Sequence, residues 1–151
     1  MTTFTINILI NRSVDMVNKA LMNPDNFPFW QTYLIKFEIV KGEPGKIGSI
    51  GRLHYFQKGR SYIMEDKLIY CEPGEKYVSE VTGEVLTARV ETVLVPLDNK
   101  TKMILKWSGR GEKFFFKILL PLLLRKMIDQ SKKELELFKE LVETRGVDFR
   151  K

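Results

Sequence analysis

The one histidine of this 151-residue chain, His54, stands between Leu53 and Tyr55. Imidazole is the side chain best suited to move a proton near neutral pH, so its orientation decides much. Strand alternation that turns Leu53 and Tyr55 inward turns His54 to solvent. No second histidine can join it at a zinc site, and the single cysteine, Cys71, has neither an internal disulfide partner nor metal-ligand spacing around it. There is no G-x-S-x-G, and the glycine-rich "GEPGKIGSIG" matches neither the dinucleotide fingerprint nor the P-loop. What is left is a set of polar-tipped side chains at alternating positions of strand-like segments: Tyr33, Tyr55, Gln57, Tyr62, Asp66, Tyr77, Ser79, Thr92 and Trp107. Such groups hold and orient a bound molecule by hydrogen bonds. An inward Asp66 needs partners or a raised pKa. No metal and no cofactor is expected from this set.

The elements that must position these residues follow from periodicity. "TFTINILI" alternates, with Phe4, Ile6, Ile8 and Ile10 on one face, as a half-buried strand does. Ser13 caps a short helix whose apolar face is Val14, Val17, Ala20 and Leu21, and "NPDNFP" ends it and starts a second short turn. In "YLIKFEIV", Tyr33, Ile35, Phe37 and Ile39 are expected to face in, and Lys36 and Glu38 out. Further strands are expected near residues 49–58, 61–72, 76–83 and 86–95, and a last one in "TKMILKWSG". Arg52 and Lys58 set even positions outward in the third strand. Glu65 and Lys67 set the opposite parity in the fourth, which turns Asp66 inward; a bulge would reverse it.

From about Glu112 to Arg145 the pattern is helical. Leu124, Ile128, Ser131, Leu135, Phe138 and Val142 recur at spacings of four and three, one buried face of an amphipathic helix. Ser131 breaks that stripe with a small residue, which either leaves room for a ligand or fits a bulky strand side chain. Before it, "FFFKILLPLLL" carries one charge, Lys117, and one helix breaker, Pro121. It is too short to cross a bilayer, which takes about 20 apolar residues. Pro121 kinks the helix or starts its regular part. Three consecutive phenylalanines cannot share one helix face, so at least one of Phe114, Phe115 and Phe116 points away from the core.

One domain is expected over residues 1–151, because the length suits a single core. Net charge is +6, but the 25 basic residues are spread among 19 acidic ones. No nucleic-acid motif appears, so no nucleic-acid partner is expected. The N-terminus lacks the pattern of a signal peptide, which makes the cytoplasm the expected compartment.

The order strand, two short helices, six strands, long helix excludes a doubly wound fold, because the strands run together without helical crossovers. An antiparallel sheet with one apolar face must cover it, and only the C-terminal helix is long enough. The residues "FTINILI", "SVDMVNKALMNPDNFPFW", "GKIGSIGRLHY", "LIYCEPGEKYV", "VPLDNKTKMILKW" and "PLLLRKMIDQSKKELELFKELVE" together resemble the START-like superfamily, also called SRPBCC. It includes the birch-pollen allergen family, polyketide cyclases and dehydrases, and lipid-transfer START domains. The resemblance implies an α+β helix-grip fold, with a seven-stranded antiparallel sheet curled around one long helix and a cavity between them. The expected ligand-binding residues are Tyr33, Phe37, Tyr55, Gln57, Tyr62, Asp66, Tyr77, Thr92, Trp107, Phe116, Leu120, Leu124, Ile128 and Ser131, with the Phe-rich segment near the cavity mouth either a mobile gate or permanently covered by strand loops. Trp30 reads as a structural plug. The expected function is binding of a hydrophobic small molecule. The alternatives are a polyketide cyclase or dehydratase, in which Arg110, Tyr33, Tyr55 and Trp107 imitate the orienting groups of such enzymes, and an interaction module that docks its Phe-rich segment on a protein or, transiently, on a membrane.

Overall fold

The computed structural model describes residues 1–151. Strand β1 (Thr2–Ile10) is followed by α1 (Val14–Leu21), a 3₁₀ turn (Pro24–Asn26) and the short α2 (Phe27–Trp30). Six strands come next: β2 (Leu34–Lys41), β3 (Ile50–Gln57), β4 (Arg60–Glu72), β5 (Lys76–Thr82), β6 (Leu86–Leu97) and β7 (Lys100–Gly111). Two helices close the chain, α3 (Phe114–Leu122) and α4 (Leu124–Arg145). All seven strands form one antiparallel sheet in the order β1-β7-β6-β5-β4-β3-β2. This is the helix-grip α+β fold.

Local chemistry explains most boundaries. Ser13 caps α1 by accepting from the Met16 amide at 3.3 Å. The β3–β4 turn uses Lys58 and Gly59, both at positive φ (51° and 76°), which suits the twist of a tight hairpin. Pro121 does not start the regular helix. It lies inside α3, which runs one residue further and breaks at Leu123. The Leu123 amide donates to Leu119 and Leu120 carbonyls at 3.2 and 3.1 Å, a tightened last turn, and α4 begins next.

Strand β2 departs from simple alternation. Its register against β3 shifts between Leu34 and Lys36, so Ile35 is an extra residue. Leu34, not Tyr33 or Ile35, is buried there; Tyr33 sits at φ 65° in the preceding turn, and both it and Ile35 are exposed. The bulge restores the expected parity at Phe37 and Ile39.

Helix α4 is held at one end. Its buried residues are Leu135, Phe138, Leu141 and Val142, all in the second half. Phe138 meets Trp30 edge-on at 5.0 Å and Phe149 at 5.8 Å, and both Phe138 and Phe149 are fully buried. The chain after α4 is fixed by Asn26, which is itself fully buried. Its amide donates to the Ala20 and Val147 carbonyls and its carbonyl accepts from the Phe149 amide, each at 2.9 Å.

The one-sided packing of α4 gives a direct check. Leu135→Ala should destabilise by roughly 2–5 kcal/mol, because Leu135 is buried in the clamp. Lys133→Ala, on the exposed side, should cost at most about 0.5 kcal/mol. Equal denaturant midpoints for the two variants would contradict this orientation of the helix.

Candidate ligand cavity

A cavity of about 410 Å³ lies beneath the first half of α4, beside the contacts that Leu124 and Ile128 make with the core. The sheet supplies the floor from β2 to β7. Met127, Gln130, Ser131 and Glu134 of α4 line the opposite side, and Trp30, Gln31 and Thr32 line it near the start of β2.

Two glycines keep the floor low. A Cβ on Gly51 would overlap the Phe37 ring, and one on Gly109 would overlap the Trp107 ring. With hydrogen in place of Cβ, each ring can lie over its glycine, close against the sheet. Trp107 is also stacked on Phe4 at 5.5 Å and 17°. Both rings line the cavity.

Of the residues expected from the sequence, Phe37, Tyr55, Tyr62, Asp66, Tyr77, Thr92, Trp107 and Ser131 lie in the cavity wall, as does Ser79. The others do not. Tyr33 is displaced by the turn before the β2 bulge. Gln57 is the last residue of β3 and lies beyond the wall, within 3.5 Å of the Tyr62 hydroxyl. Phe116 and Leu120 form the inner face of α3, whose backbone presses on Gly111 at the end of β7. Leu124 and Ile128 pack on the core cluster, because the cavity side of α4 is centred on Met127, Ser131 and Glu134, a fraction of a turn away. No residue of α3 is in the cavity wall. Trp30 does brace Phe138, and it lines the cavity as well.

Only two charged side chains line the wall, Asp66 and Glu134, and both are acidic. Burial pushes Asp66 above its ordinary value, and the Ser79 hydroxyl pulls it back only in part. Burial likewise raises Glu134, against the lowering effect of its hydrogen bonds. Its Oε1 accepts from the Thr32 amide and the Gln130 amide nitrogen, each at 3.2 Å. Tyr55 and Tyr62 face each other across β3 and β4, stacked at 4.9 Å and 13°. Burial raises the Tyr55 hydroxyl strongly, with Glu134, Tyr62 and Asp66 adding to it, so Tyr55 is a neutral donor. Tyr62 is raised by burial, then by Tyr33 and Glu134. Tyr77 is different: its hydroxyl donates to Asn18 Oδ1 and accepts from the Gly74 amide, so it braces the β4–β5 turn. The Trp30 indole N–H is buried without a hydrogen-bond partner in the protein.

Sequence reasoning missed Glu134 and Gln130. A charged residue beside an apolar stripe reads as solvated, and the wetting is removed only by the fold. His54 faces away from the cavity, as its neighbours imply, and bonds Glu38 at 2.7 Å. Arg110 also lies outside the wall and pairs with Glu112 at 4.0 Å.

No protein-family model matches the sequence, and no curated protein matches it. Solved structures do match in fold. The chain is similar to Zhui aromatase/cyclase from a Streptomyces species, with a TM-score of 0.79 at 14% identity over 95% of this chain and 94% of that one. It is similar to Ara h 8.0201, with a TM-score of 0.76 at 16% identity, over 95% and 99% of the two chains. A START superfamily protein from Mycobacterium smegmatis matches with a TM-score of 0.73 at 14% identity, over 89% and 94%. The fold is therefore START-like.

The two raised carboxyl groups predict a pH dependence. An acid whose folded pKa is raised binds its proton longer in the folded state than in the unfolded chain. Its contribution is complete below the ordinary values of 3.8 for Asp66 and 4.5 for Glu134, and is lost as pH rises through the folded values. Asp66→Asn cannot titrate, so its stability relative to wild type should improve between about pH 4 and about pH 8. Denaturant midpoints at both ends of that range check the sign; a constant difference would mean that Asp66 ionises freely.

Proposed function

We propose that this chain, acting as one domain, binds a hydrophobic small molecule in the cavity between the sheet and α4. The observation that carries the reading is the cavity itself: about 410 Å³, lined mainly by apolar side chains, within the range typical of small-molecule sites. The helix-grip fold supports it, since an aromatase/cyclase and a START superfamily protein are among the structures of this shape.

The wall also supports a chemical class. It has two acidic groups and no Lys, Arg or His. A ligand carboxylate buried there would meet no positive charge and two acids, a large desolvation cost without compensation. Hydroxyl, carbonyl or amine groups fit better: the Tyr55 hydroxyl and the Trp30 indole donate, and Glu134 and Asp66 accept or, when protonated, donate. The ligand we infer is apolar, neutral or cationic, with a few polar groups. A cytoplasmic setting remains part of the proposal, supported by the lone unpaired Cys71. No helix is long and apolar enough to cross a membrane.

A second reading, a cyclase or dehydratase acting on a polyketide-like substrate, is supported by the same wall. Asp66 and Glu134, both raised by burial, share it with Tyr55 and Tyr62, and a carboxyl that holds its proton more tightly is suited to act as a general acid. Conversion of a poly-β-ketone substrate distinguishes this reading from simple binding.

Titration with a neutral apolar fluorophore, followed by quenching of Trp30 and Trp107, should saturate at one site. A long-chain amine or alcohol should displace it, and the fatty acid of equal chain length should do so at least about tenfold less well. Gly51→Ala should reduce uptake by driving the Phe37 ring into the space. If the probe does not saturate, cavity binding is wrong; if the fatty acid competes best, the ligand class is wrong and binding stands.

A further inference from the structure

We infer that α3 is a docking helix for a membrane surface that carries anionic lipid. This is separate from what the cavity holds, since α3 contributes nothing to its wall.

The first observation is a continuous apolar face in solvent. Phe114, Phe115, Ile118 and Leu122 are 78%, 65%, 56% and 75% exposed. With about 100° between successive residues, these four fall within a single side of the helix. Opposite them, Leu120 is buried and Phe116 half-buried. The helix cannot roll to hide the outer face, because its backbone at Phe116 and Lys117 already fills the space that a Cβ on Gly111 would need. An exposed run of large apolar side chains on a fixed helix is an interaction surface.

Charge selects the occupant. Lys113, Lys117, Arg125 and Lys126 flank or interrupt this stretch in the sequence, all exposed, and no acidic residue occurs between Glu112 and Asp129. Lys113 stands at the N-cap without a capping side chain, and the first turn has no acid. That end is poorly built for water, since a helix N-terminus favours negative charge near it. An anionic headgroup layer supplies that charge, while the phenylalanines enter the acyl boundary and the lysine stems reach back to the phosphates. A second copy of this chain does not fit, because it would set these four cations against themselves. The nine residues of α3 span roughly 14 Å, about half the hydrocarbon thickness. The helix therefore lies in the interface and does not span it.

Co-sedimentation with vesicles tests this in the full chain. The protein should bind vesicles of phosphatidylcholine mixed with phosphatidylglycerol at least about tenfold more tightly than phosphatidylcholine alone, and salt should weaken the binding. The double variant Phe115→Ser/Ile118→Ser should lose most of it. Lys117→Glu, a surface charge that leaves the core untouched, should weaken it too and keeps the test valid if the double variant melts early. Equal binding to both vesicle types, no binding to either, or retention by both variants overturns the proposal. So does self-association that Lys117→Glu abolishes, or capture of an acidic protein by the face in place of vesicles.

Discussion

The structure depends on the burial of Phe138. It sits at full depth between Trp30 and Phe149, and with Leu135, Leu141 and Val142 it fastens the second half of α4 to β1 and the short helices. A curled sheet of seven strands has a wider concave face than one helix can cover. Because the helix is fastened near one end, the surplus is not spread as small gaps. It collects under the other half as one cavity. Close packing at the clamp and open space under Ser131 are thus consequences of the same constraint, since a packed interior tolerates few distributed voids. The clamp in turn relies on Asn26, whose three hydrogen bonds join α1, the 3₁₀ turn and the tail that carries Phe149.

Keeping the space open needs a second device. Large aromatic rings on a concave floor would normally fill it. Phe37 and Trp107 do not, because each lies over a glycine and stays close against the sheet. The rings then provide apolar wall without consuming volume. Against that wall the acids Asp66 and Glu134 stand out. Neither has a cationic partner in the cavity, and burial raises both. Unpaired buried carboxyl groups weaken a fold, so stability alone does not account for them. In the proposed binding reading they form the polar part of the wall that meets the ligand.

The order of elements along the chain, the buried face of α4 and much of the floor were legible in the sequence, because alternation and the three–four spacing record which side is wet. Phe4, Ile6 and Ile10 in β1, and Leu135, Phe138 and Val142 in α4, are buried as their spacing requires. The parity of Glu65 and Lys67 left the side of Asp66 open, since a bulge would reverse it; the structure has Asp66 in the cavity wall. The failures share a physical cause: each depends on a displacement that composition does not encode. The bulge at Ile35 moves Tyr33 off the sheet face. A small rotation of α4 replaces Leu124 and Ile128 by Met127 and Glu134 at the cavity. Phe149 follows the helix that it helps to fix, with no periodic pattern around it, so nothing local marked it as core.

Pro121 shows how the two surfaces of the C-terminal region are kept apart. Without an amide hydrogen at residue 121, the ladder loses one bond just where α3 must end. The break at Leu123 then lets two helices of opposite character follow each other. In α3 Phe114, Phe115, Ile118 and Leu122 face out and its start is uncapped; in α4 Leu135, Phe138, Leu141 and Val142 face in and charge covers most of the exterior. One unbroken helix could not satisfy both, because continuing α3 in phase would fix the roof of the cavity by the contact at Gly111. The break removes that coupling. Leu124, Met127 and Ile128 can then settle on the core independently of α3, and the height of the cavity is left to the Phe138 clamp.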